Sequence, residues 1–267
     1  MHTKKVYITQ YCWQCLLTPL AGAPGTIVAE CRRPQQSGFT AGRSTADAIL
    51  APRLLSDLHR EFCQPLNVAY VDLKSAFGSV DREALWKAVR EIGAPTVLLD
   101  LIQDLYTHAN SQVRLGKLLS ASFRTRSGIR QGCVLAPALF YTAKDWIMDR
   151  AMSHRGVTIS GENIPDSDYA DDIAALEGDL ADITGILEST EAAGSELGLH
   201  ISWAKTKVQN IGAGQPVSNL LINGQTVEGV QSFVYLGSTI NSADGSRSEQ
   251  LRRIEIAAGN MNNLQCI

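Results

Sequence analysis

The stretch PDSDYADDIAAL, residues 165–176, decides the fold of this chain of 267 residues. Asp171 and Asp172 stand side by side in it, between Ala170 and an apolar run that begins at Ile173. The pattern predicts two short strands in a buried setting, with the polar pair at the turn of a hairpin. Adjacent carboxylates in such a setting repel each other and lose hydration. We therefore expect a positive group beside them.

A second strand that ends in a carboxylate lies earlier in the chain. NVAYVDL, residues 67–73, has a short buried-strand pattern, and Asp72 stands at its carboxyl end, a common location for catalytic groups. Helical patterns occupy residues 81–93 and 180–197. The order strand, helices, strand pair, helix, strand predicts an α+β fold, with a split βαβ sheet and helices on one face. If the two carboxylate-bearing strands are neighbours, the three aspartates converge.

The first strong helical periodicity begins after Ser44 and Thr45, which are suitable N-caps. Pro52 lies inside this helix and removes a backbone donor, at a cost of about 3 kcal/mol in a helix interior. We therefore expect the helix to start late or to kink. Its predicted inward face consists of Ile49, Leu50, Leu54, Leu55, Leu58 and Phe62.

The formal net charge of −3 argues at first against a nucleic-acid partner. The charges are segregated, however. Residues 105–144 hold six Lys or Arg and no acid, whereas residues 156–204 hold eleven Asp or Glu and no Lys or Arg. Setting those eleven acids aside leaves 16 acids against 24 bases, so a basic surface is available outside the acidic segment.

Six cysteines are scattered without the spacing of a disulfide framework, and no secretory leader pattern opens the chain. This favours a reducing, intracellular compartment and leaves nucleus and cytoplasm unresolved. Cys12 and Cys15 form a CxxC pair, but no second pair completes the four ligands of a zinc site. No run approaches the roughly 20 apolar residues of a membrane span, so we expect no membrane segment.

The three converging aspartates suit a hard divalent cation. Mg²⁺ takes carboxylate oxygens together with substrate phosphates. Two such ions about 3.5–4 Å apart stabilise the attacking and leaving oxygens of an in-line phosphoryl displacement. The alternative for Asp171 and Asp172 alone is a solvated Asx turn.

Six blocks of the sequence carry a resemblance to a known family. They are QQSGFTAGRSTADAIL (35–50), VAYVDLKSAFGSVDREALW (68–86), SGIRQGCVLAPALF (127–140), YADD (169–172), GLHISWAKTKV (198–208) and FVYLGSTI (233–240). In this order they resemble the blocks of a reverse transcriptase, and they look most like the LINE-type, non-LTR retrotransposon branch. The resemblance implies a polymerase palm with a split βαβ (ferredoxin-like) sheet and partial fingers, truncated at both ends and with the thumb largely missing.

The resemblance also implies a domain organisation and an activity. One reverse transcriptase domain is expected at 35–245, after an irregular lead-in at 1–34 and before the start of a truncated helical segment at 246–267. The implied activity is that of an RNA-directed DNA polymerase acting on an RNA template, a DNA primer and deoxynucleoside triphosphates. Its expected cofactor is a pair of Mg²⁺ ions, with Mn²⁺ as an alternative, and the oligomeric state stays open.

Individual roles follow from the resemblance at matching positions. Asp72, Asp171 and Asp172 match the catalytic metal ligands, and Leu73 matches the neighbour that lends a backbone carbonyl to a metal. Phe77 matches the steric gate against a ribose 2′-OH, with plain core packing as the alternative. The remaining matches to nucleotide-binding positions are the backbone amides of Ser75 and Ala76 for the triphosphate, Arg43 on the fingers side, Gln131, and Lys205 or Lys207 as the proton donor to pyrophosphate.

The template and primer contacts are expected in the basic tract. Gly128, Arg130, Gln131 and Gly132 match the loop that positions the template base, where glycines allow a close backbone approach. Phosphates of template and primer are expected on Arg114, Arg124, Arg126 and Arg130. The alternatives are an ordinary turn for Gly132, a solvated hairpin face for the tract, and a surface arginine for Arg43.

Three positions depart from the family pattern and leave a competing interpretation open. Gly78 stands where an aspartate is usual, Ala136 replaces a serine or threonine, and Pro52 interrupts a helix. Gly78, Pro52 and the truncated ends favour a catalytically inactive remnant that binds at most nucleic acid or protein, whereas the intact Asp72, Asp171 and Asp172 favour the polymerase. A different magnesium-dependent palm enzyme is disfavoured by the template and gate blocks.

Overall fold

The structure is a computed structural model that describes residues 33–264, apart from residues 39, 41, 108, 134, 244 and 245. The expected lead-in, with its CxxC pair, lies outside the described residues except for Arg33 and Pro34. The described chain forms two compact units. We call residues 75–147 and 194–199 the helical unit, and residues 33–74, 148–193 and 200–264 the sheet unit.

The elements follow one another as helices α1–α7 and strands β1–β14. In chain order they are α1 (Thr45–Glu61), β1 (Asn67–Val71), α2 (Ala76–Ser79), α3 (Arg82–Glu91), α4 (Thr96–Tyr106), β2 (Asn110–Ser111), β3 (Arg114–Leu115), β4 (Leu118–Leu119), β5 (Phe123–Arg124), α5 (Ala136–Ala151), β6 (Val157–Ile159), β7 (Glu162–Ile164), β8 (Asp166–Tyr169), β9 (Asp172–Glu177), α6 (Leu180–Glu196), β10 (Lys207–Asn210), β11 (Leu220–Ile222), β12 (Gln225–Gly229), β13 (Ser232–Tyr235), β14 (Ser238–Asn241) and α7 (Arg247–Leu264). Among the described residues, no helix has both the length and the apolar character required to cross a membrane.

The sheet unit is built on a six-stranded sheet in the order β11-β12-β10-β1-β9-β8. β1 pairs antiparallel with both β9 and β10, and β8 pairs antiparallel with β9. Across the sheet, these four strands lie in the order β10, β1, β9, β8. They are the fourth, first, third and second of the four in the chain. This is the strand order of a split βαβ sheet, so the predicted α+β fold is confirmed.

The core of the sheet unit forms around β1. All five residues of β1 are buried, which agrees with its nearly continuous apolar sequence. The Tyr70 ring stacks on Phe233 with centroids 4.1 Å apart, and its hydroxyl donates to Gln209 Oε1 at 3.0 Å. Burial raises the pKa of the Tyr70 phenol. The other buried members of this core are Leu55, Leu66, Val68, Val157, Ala174, Leu176, Ile211, Tyr235 and Ile240.

Helix α1 corrects two expectations. It begins directly at Thr45, where the Ser44 N–H and hydroxyl donate to Asp47 Oδ2 at 2.7 and 3.0 Å, and it continues through Pro52 to Glu61. The predicted late start is therefore wrong. The predicted inward face is also wrong, because Leu50, Leu54 and Phe62 are exposed. The buried positions are instead Ala48, Pro52, Leu55 and Ser56.

The tolerance of Pro52 has a local cause. A proline has no N–H, so the carbonyl four residues earlier loses its helical donor. That carbonyl belongs to Ala48, and the hydroxyl of Ser167 on β8 donates to it at 3.1 Å in a buried setting. Ser167 therefore replaces the missing backbone hydrogen bond and links α1 to the strand before the aspartate turn.

The helical unit agrees with most of the sequence pattern. Helix α3 is capped by Asp81, whose Oδ1 accepts from Ala84 N at 2.8 Å, and it is followed by Gly93 at a φ of +83°. The basic tract contains two separate short ladders, in which β3 pairs with β4 and β5 pairs with β2.

Candidate catalytic edge of the sheet

The pairing of β1 with β9 brings the predicted aspartates to one edge of the sheet. Val71 is the register partner of Ile173, so Asp72 follows β1 at the level where Asp172 begins β9. Tyr169 pairs with Asp172, which leaves Ala170 and Asp171 as a two-residue turn. Ala170 has a φ of +59°, as the first central residue of a primed hairpin turn requires. The two carboxylate-bearing strands are therefore neighbours, as predicted, and their register brings the three aspartate positions to one edge of the sheet.

The burial of the pair is not as predicted. Asp171 and Asp172 are both exposed, and burial along β9 begins only at Ile173. The two-residue turn is so short that its side chains reach solvent, so the carboxylates keep access to water. The expected burial of YADD carboxylates is therefore wrong.

The buried carboxylates stand a few residues earlier, at Asp166 and Asp168. They are 1% and 0% exposed, and they point to the same side of β8 because they are two residues apart. Arg33 lies beside them, with Nη2 2.6 Å from Asp166 Oδ2 and Nη1 3.5 Å from Asp168 Oδ2. This positive group lies beside Asp166 and Asp168, which is not the pair beside which it was expected.

Arg33 is held in its charged form by this cluster. Burial by itself lowers the pKa of the guanidinium, yet Asp166 and Asp168 together raise it above its ordinary value. A third acid, Asp149, lies 3.1 Å from Nε. Sequence reasoning missed this cluster. The alternation Asp-x-Asp on a strand was the available signal.

The segment before α1 lies along β8 and reaches the aspartate turn. Ser37 N donates to Asp168 O at 2.9 Å, and Gln36 and Asp168 form a parallel bridge. The side-chain Oε1 of Gln36 accepts from Gly38 N at 2.7 Å and from Ala170 N at 3.1 Å. Sequence reasoning assigned no role to Gln36, and only its place in the QQSGF block pointed to it.

Asp72 offers a buried oxygen at the edge. Its Oδ2 is inaccessible to solvent and accepts no well-directed hydrogen bond, although the side chain as a whole is 38% exposed. Lys205 Nζ is the neighbouring cation, 3.3 Å from Oδ2 and 3.5 Å from Oδ1. Lys207 instead donates to Glu228 Oε2 and to Ala204 O, each at 2.8 Å. Of the two candidate lysines, the structure brings only Lys205 to Asp72.

The backbone of Leu73 is arranged differently from that of its neighbours. Leu73 forms an antiparallel bridge with Ile201. The two hydrogen bonds of this bridge are made by the flanking residues: Lys74 N donates to His200 O at 2.8 Å, and Ser202 N donates to Asp72 O at 2.7 Å. In such a non-hydrogen-bonded pair, the bridged residues direct their own N–H and C=O away from each other. The carbonyl of Leu73 is therefore not used by this bridge.

The edge carries oxygen donors of the kind that a hard divalent cation takes. Within the described ranges, no group of three or more His, Cys, Asp or Glu side chains is close enough to form a protein-only cage. Mg²⁺ commonly binds through one or two carboxylates together with substrate phosphates and water. The buried oxygen of Asp72, the exposed Asp171 and the Leu73 carbonyl match this mode.

Four predicted nucleotide-binding positions, Ser75, Ala76, Phe77 and Gln131, lie in the helical unit. Ser75 adopts a φ of +47° and precedes α2, in which Ala76 is buried. Phe77 is half-buried and stacks on Phe140, with centroids 4.5 Å apart, so it packs within its own unit. Arg43 lies in the sheet unit, exposed on the turn before α1.

The predicted template loop lies beside a basic cavity of about 420 Å³ in the helical unit. Arg124, Arg126 and Arg130 contribute to its lining. Arg130 also donates to Leu105 O at 2.6 Å, and its guanidinium lies 5.4 Å from the centroid of the Tyr106 ring. Gln131 and Gly132 are exposed, and so is Arg114 in its separate short ladder.

Arg82 organises this loop and was not identified from the sequence. It is 9% exposed, and it donates to Gly128 O at 2.9 Å, Thr125 O at 2.8 Å and Ser127 O at 3.0 Å. Burial lowers the pKa of Arg82. Gly128 itself has a φ of +79°, and a Cβ there would lie 2.7 Å from Gly78 O. The loop therefore requires glycine at this position.

Comparison with known proteins gives a consistent result. Residues 25–240 match the family model described as reverse transcriptase (RNA-dependent DNA polymerase). The retrovirus-related Pol polyprotein from the type-2 retrotransposable element R2DM of Drosophila melanogaster is 27% identical over 207 residues, which cover 77% of this chain and 19% of that protein. The corresponding R2 polyprotein of Bradysia coprophila is 30% identical over 169 residues, covering 62% of this chain and 18% of that protein.

Solved structures show the same fold at low sequence identity. Telomerase from Candida tropicalis, in complex with a TWJ fragment of telomeric RNA, superposes with a TM-score of 0.62 at 14% identity, covering 86% of this chain and 36% of that one. The corresponding complex from Candida albicans gives a TM-score of 0.60 at 13% identity, covering 86% and 37%.

Proposed function

Because the chain belongs to the reverse transcriptase family, we propose that it performs RNA-directed DNA polymerisation at the carboxylate edge of its sheet. The observation that carries this proposal is the register of β1 with β9, in which the end of β1, before Asp72, pairs with the start of β9, after Asp171 and Asp172. The reaction joins a deoxynucleoside triphosphate to a primer 3′-OH opposite an RNA template. The chain spans about a fifth of the R2 polyproteins it matches, so the proposal concerns a polymerase domain at 35–245, followed by a helical segment from 246.

Asp72, Asp171 and the Leu73 carbonyl would hold the cation, with Asp172 adjacent on β9. A pair of Mg²⁺ ions, or Mn²⁺ in their place, would stabilise the attacking 3′ oxygen and the leaving pyrophosphate oxygen. The role of the protein is to keep the ligand oxygens of Asp72, Leu73 and Asp171 at one edge of a sheet, where substrate phosphates complete the coordination. This agrees with the exposure of Asp171 and with the buried, poorly satisfied oxygen of Asp72.

Lys205 is the better candidate for the proton donor to pyrophosphate. Its ammonium group lies at the carboxylate edge and its side chain is 70% exposed, so it can turn toward an incoming phosphate. In the proposed step, Nζ gives one proton to the leaving oxygen and becomes a neutral amine. Lys207 is committed to Glu228 on β12 and is only 21% exposed.

We propose that the helical unit handles substrate and template, following the family resemblance. The amides of Ser75 and Ala76 would meet the triphosphate, Phe77 would exclude a ribose 2′-OH, and Arg43 of the sheet unit would contact phosphate. The exposed basic side chains of the cavity support a role in binding nucleic-acid backbone, because phosphate contacts dominate such interfaces. The residues assigned to template and primer are Arg114, Arg124, Arg126, Gly128, Arg130, Gln131 and Gly132.

The inactive-remnant interpretation has lost part of its basis. The helical penalty of Pro52 is offset by the hydroxyl of Ser167. Gly78 lies in an open position, where an added Cβ would have no heavy atom within 4 Å, so the loss of an aspartate there leaves the packing intact. The carboxylates proposed to bind metal are all present at one edge.

Primer extension on poly(rA)/oligo(dT) with Mg²⁺ tests the proposal. We expect extension by the unaltered chain, a loss of at least about a hundredfold in Asp171→Asn, and no change in the matched control Glu162→Gln. Glu162 is an exposed acid on β7, away from the proposed ligands in sequence. Absence of extension by the unaltered chain, or equal rates in Asp171→Asn, would refute the proposed function.

A further inference from the structure

We propose that Gln36 is a positioning residue that fixes the orientation of the Asp171 carboxylate, an inference that rests on the proposed function. Gln36 touches no reacting atom. It acts on the peptide that carries Asp171, through a hydrogen bond from the preceding residue, Ala170.

The contact is short, buried and made by a single atom. Gln36 is 2% exposed, and its Oε1 accepts from both Gly38 N and Ala170 N, at 2.7 and 3.1 Å. A carbonyl oxygen has two lone pairs, so this atom is fully used. The first bond fixes the direction of the side chain, and the second then fixes the turn.

The turn requires such a restraint because its backbone is strained. Ala170 adopts a φ of +59°, a region that L-residues other than Gly, Asn and Asp rarely occupy. A strained conformation persists only where surrounding contacts over-determine it. The next residue is Asp171, so any relaxation of Ala170 swings the proposed metal ligand away from Asp72.

A second contact closes the turn from the same side. A Cβ added to Gly38 would lie 2.3 Å from Ala170 N, so the backbone at Gly38 packs directly against the turn. Ser37 N also donates to Asp168 O at 2.9 Å. The segment 33–38 thus runs beside β8, from the Arg33 ion pairs to the turn, and is joined to β8 by the isolated bridge between Gln36 and Asp168.

Two substitutions of Gln36 separate the effect of its acceptor oxygen from the effect of its side-chain size. Gln36→Met keeps the length and removes the acceptor oxygen. Gln36→Glu keeps the oxygen and loses no bond among the described residues, since Nε2 has no partner there. Gln35→Met makes the same chemical change at the neighbouring residue. It is the control, because Gln35 contacts β8 through its backbone O and not through its side chain.

The readouts are amide hydrogen exchange at Ala170 without metal, and Mn²⁺ affinity measured by electron paramagnetic resonance with a dideoxy-terminated primer–template and a deoxynucleoside triphosphate present, since substrate phosphates complete the proposed coordination. We expect Gln36→Met to speed exchange at Ala170 and to weaken Mn²⁺ binding about 10–100-fold, as loss of an outer-shell partner does. Gln36→Glu should restore affinity to within a few-fold, and Gln35→Met should change neither. Thermal unfolding without metal shows whether each variant is folded.

The outcomes distinguish this inference from the proposed function. If Asp171→Asn weakens Mn²⁺ binding but Gln36→Met does not, the inference is wrong and the proposed function stands. If Asp171→Asn binds Mn²⁺ like the unaltered chain, both are wrong. If Gln36→Met does not fold, Gln36→Asn replaces it, because the shorter side chain withdraws the oxygen from Ala170. Unchanged Mn²⁺ affinity in Gln36→Asn would then overturn the inference.

Discussion

Ser167→Ala removes the hydroxyl that donates to Ala48 O at 3.1 Å, opposite the missing N–H of Pro52. A buried carbonyl left without a partner costs about 1–3 kcal/mol, so we expect the free energy of unfolding to fall by that amount. In a Pro52→Ala background the new backbone N–H satisfies Ala48 O. The same Ser167→Ala change should then cost only about 0.5–1 kcal/mol. The expected coupling is therefore about 1 kcal/mol or more.

Urea unfolding of the unaltered chain, both single variants and the double variant measures this coupling. Ser189→Ala is the matched control, because its hydroxyl donates to a carbonyl of an uninterrupted helix, Gly185 O at 2.7 Å. Ser189→Ala should be additive with Pro52→Ala to within about 0.5 kcal/mol. Equal costs of Ser167→Ala with and without Pro52 would show that the hydroxyl does not compensate for the proline.

Three further predictions concern the template loop, the last helix and the proton donor. Gly128→Ala should lower stability by about 2–3 kcal/mol in urea unfolding, because its φ is +79° and the new Cβ meets a backbone carbonyl at 2.7 Å; an unchanged midpoint would contradict this. A hydrogen bond from Arg252 and other donors hold the pKa of Glu249 well below its usual range. Its stabilisation is complete above the unfolded-state pKa of about 4.3 and is lost as the pH falls below it, so Glu249→Gln should flatten the acid limb of a stability–pH curve. Lys205→Ala should lower the single-turnover extension rate about a hundredfold and Lys207→Ala only slightly; the reverse order would exclude Lys205 as the proton donor.

The strands that carry the aspartates could be predicted because their sequence signals are local. β1 is a short apolar run, and β8 and β9 flank a polar pair at a turn. Helix α6 also follows its pattern, with Ile183, Ile186 and Leu187 all buried. In β1, β9 and α6 the apolar pattern indicates which side chains are buried.

Other features depended on contacts between distant parts of the chain. The inward face of α1 includes Pro52 and Ser56, and Ser56 is buried because its hydroxyl donates to Ile211 O at 2.5 Å. No periodicity in α1 contains that information. The Arg33 cluster likewise joins residues from separate segments, so the pattern Asp-x-Asp could not reveal its partner. Lys205 and Lys207 differ only in what the fold places beside each of them.

Strand β8 makes contacts on two opposite faces within four residues. Which face a side chain lies on depends on whether its position in the strand is odd or even. Asp166 and Asp168 face Arg33 on alternate positions, Ser167 faces α1 between them, and the turn follows at once. A one-residue insertion or deletion would exchange the two faces and shift the turn at the same time. The stretch should therefore tolerate substitutions at its exposed positions but reject every one-residue change of length, a contrast that a single-residue deletion scan across residues 166–172 would reveal.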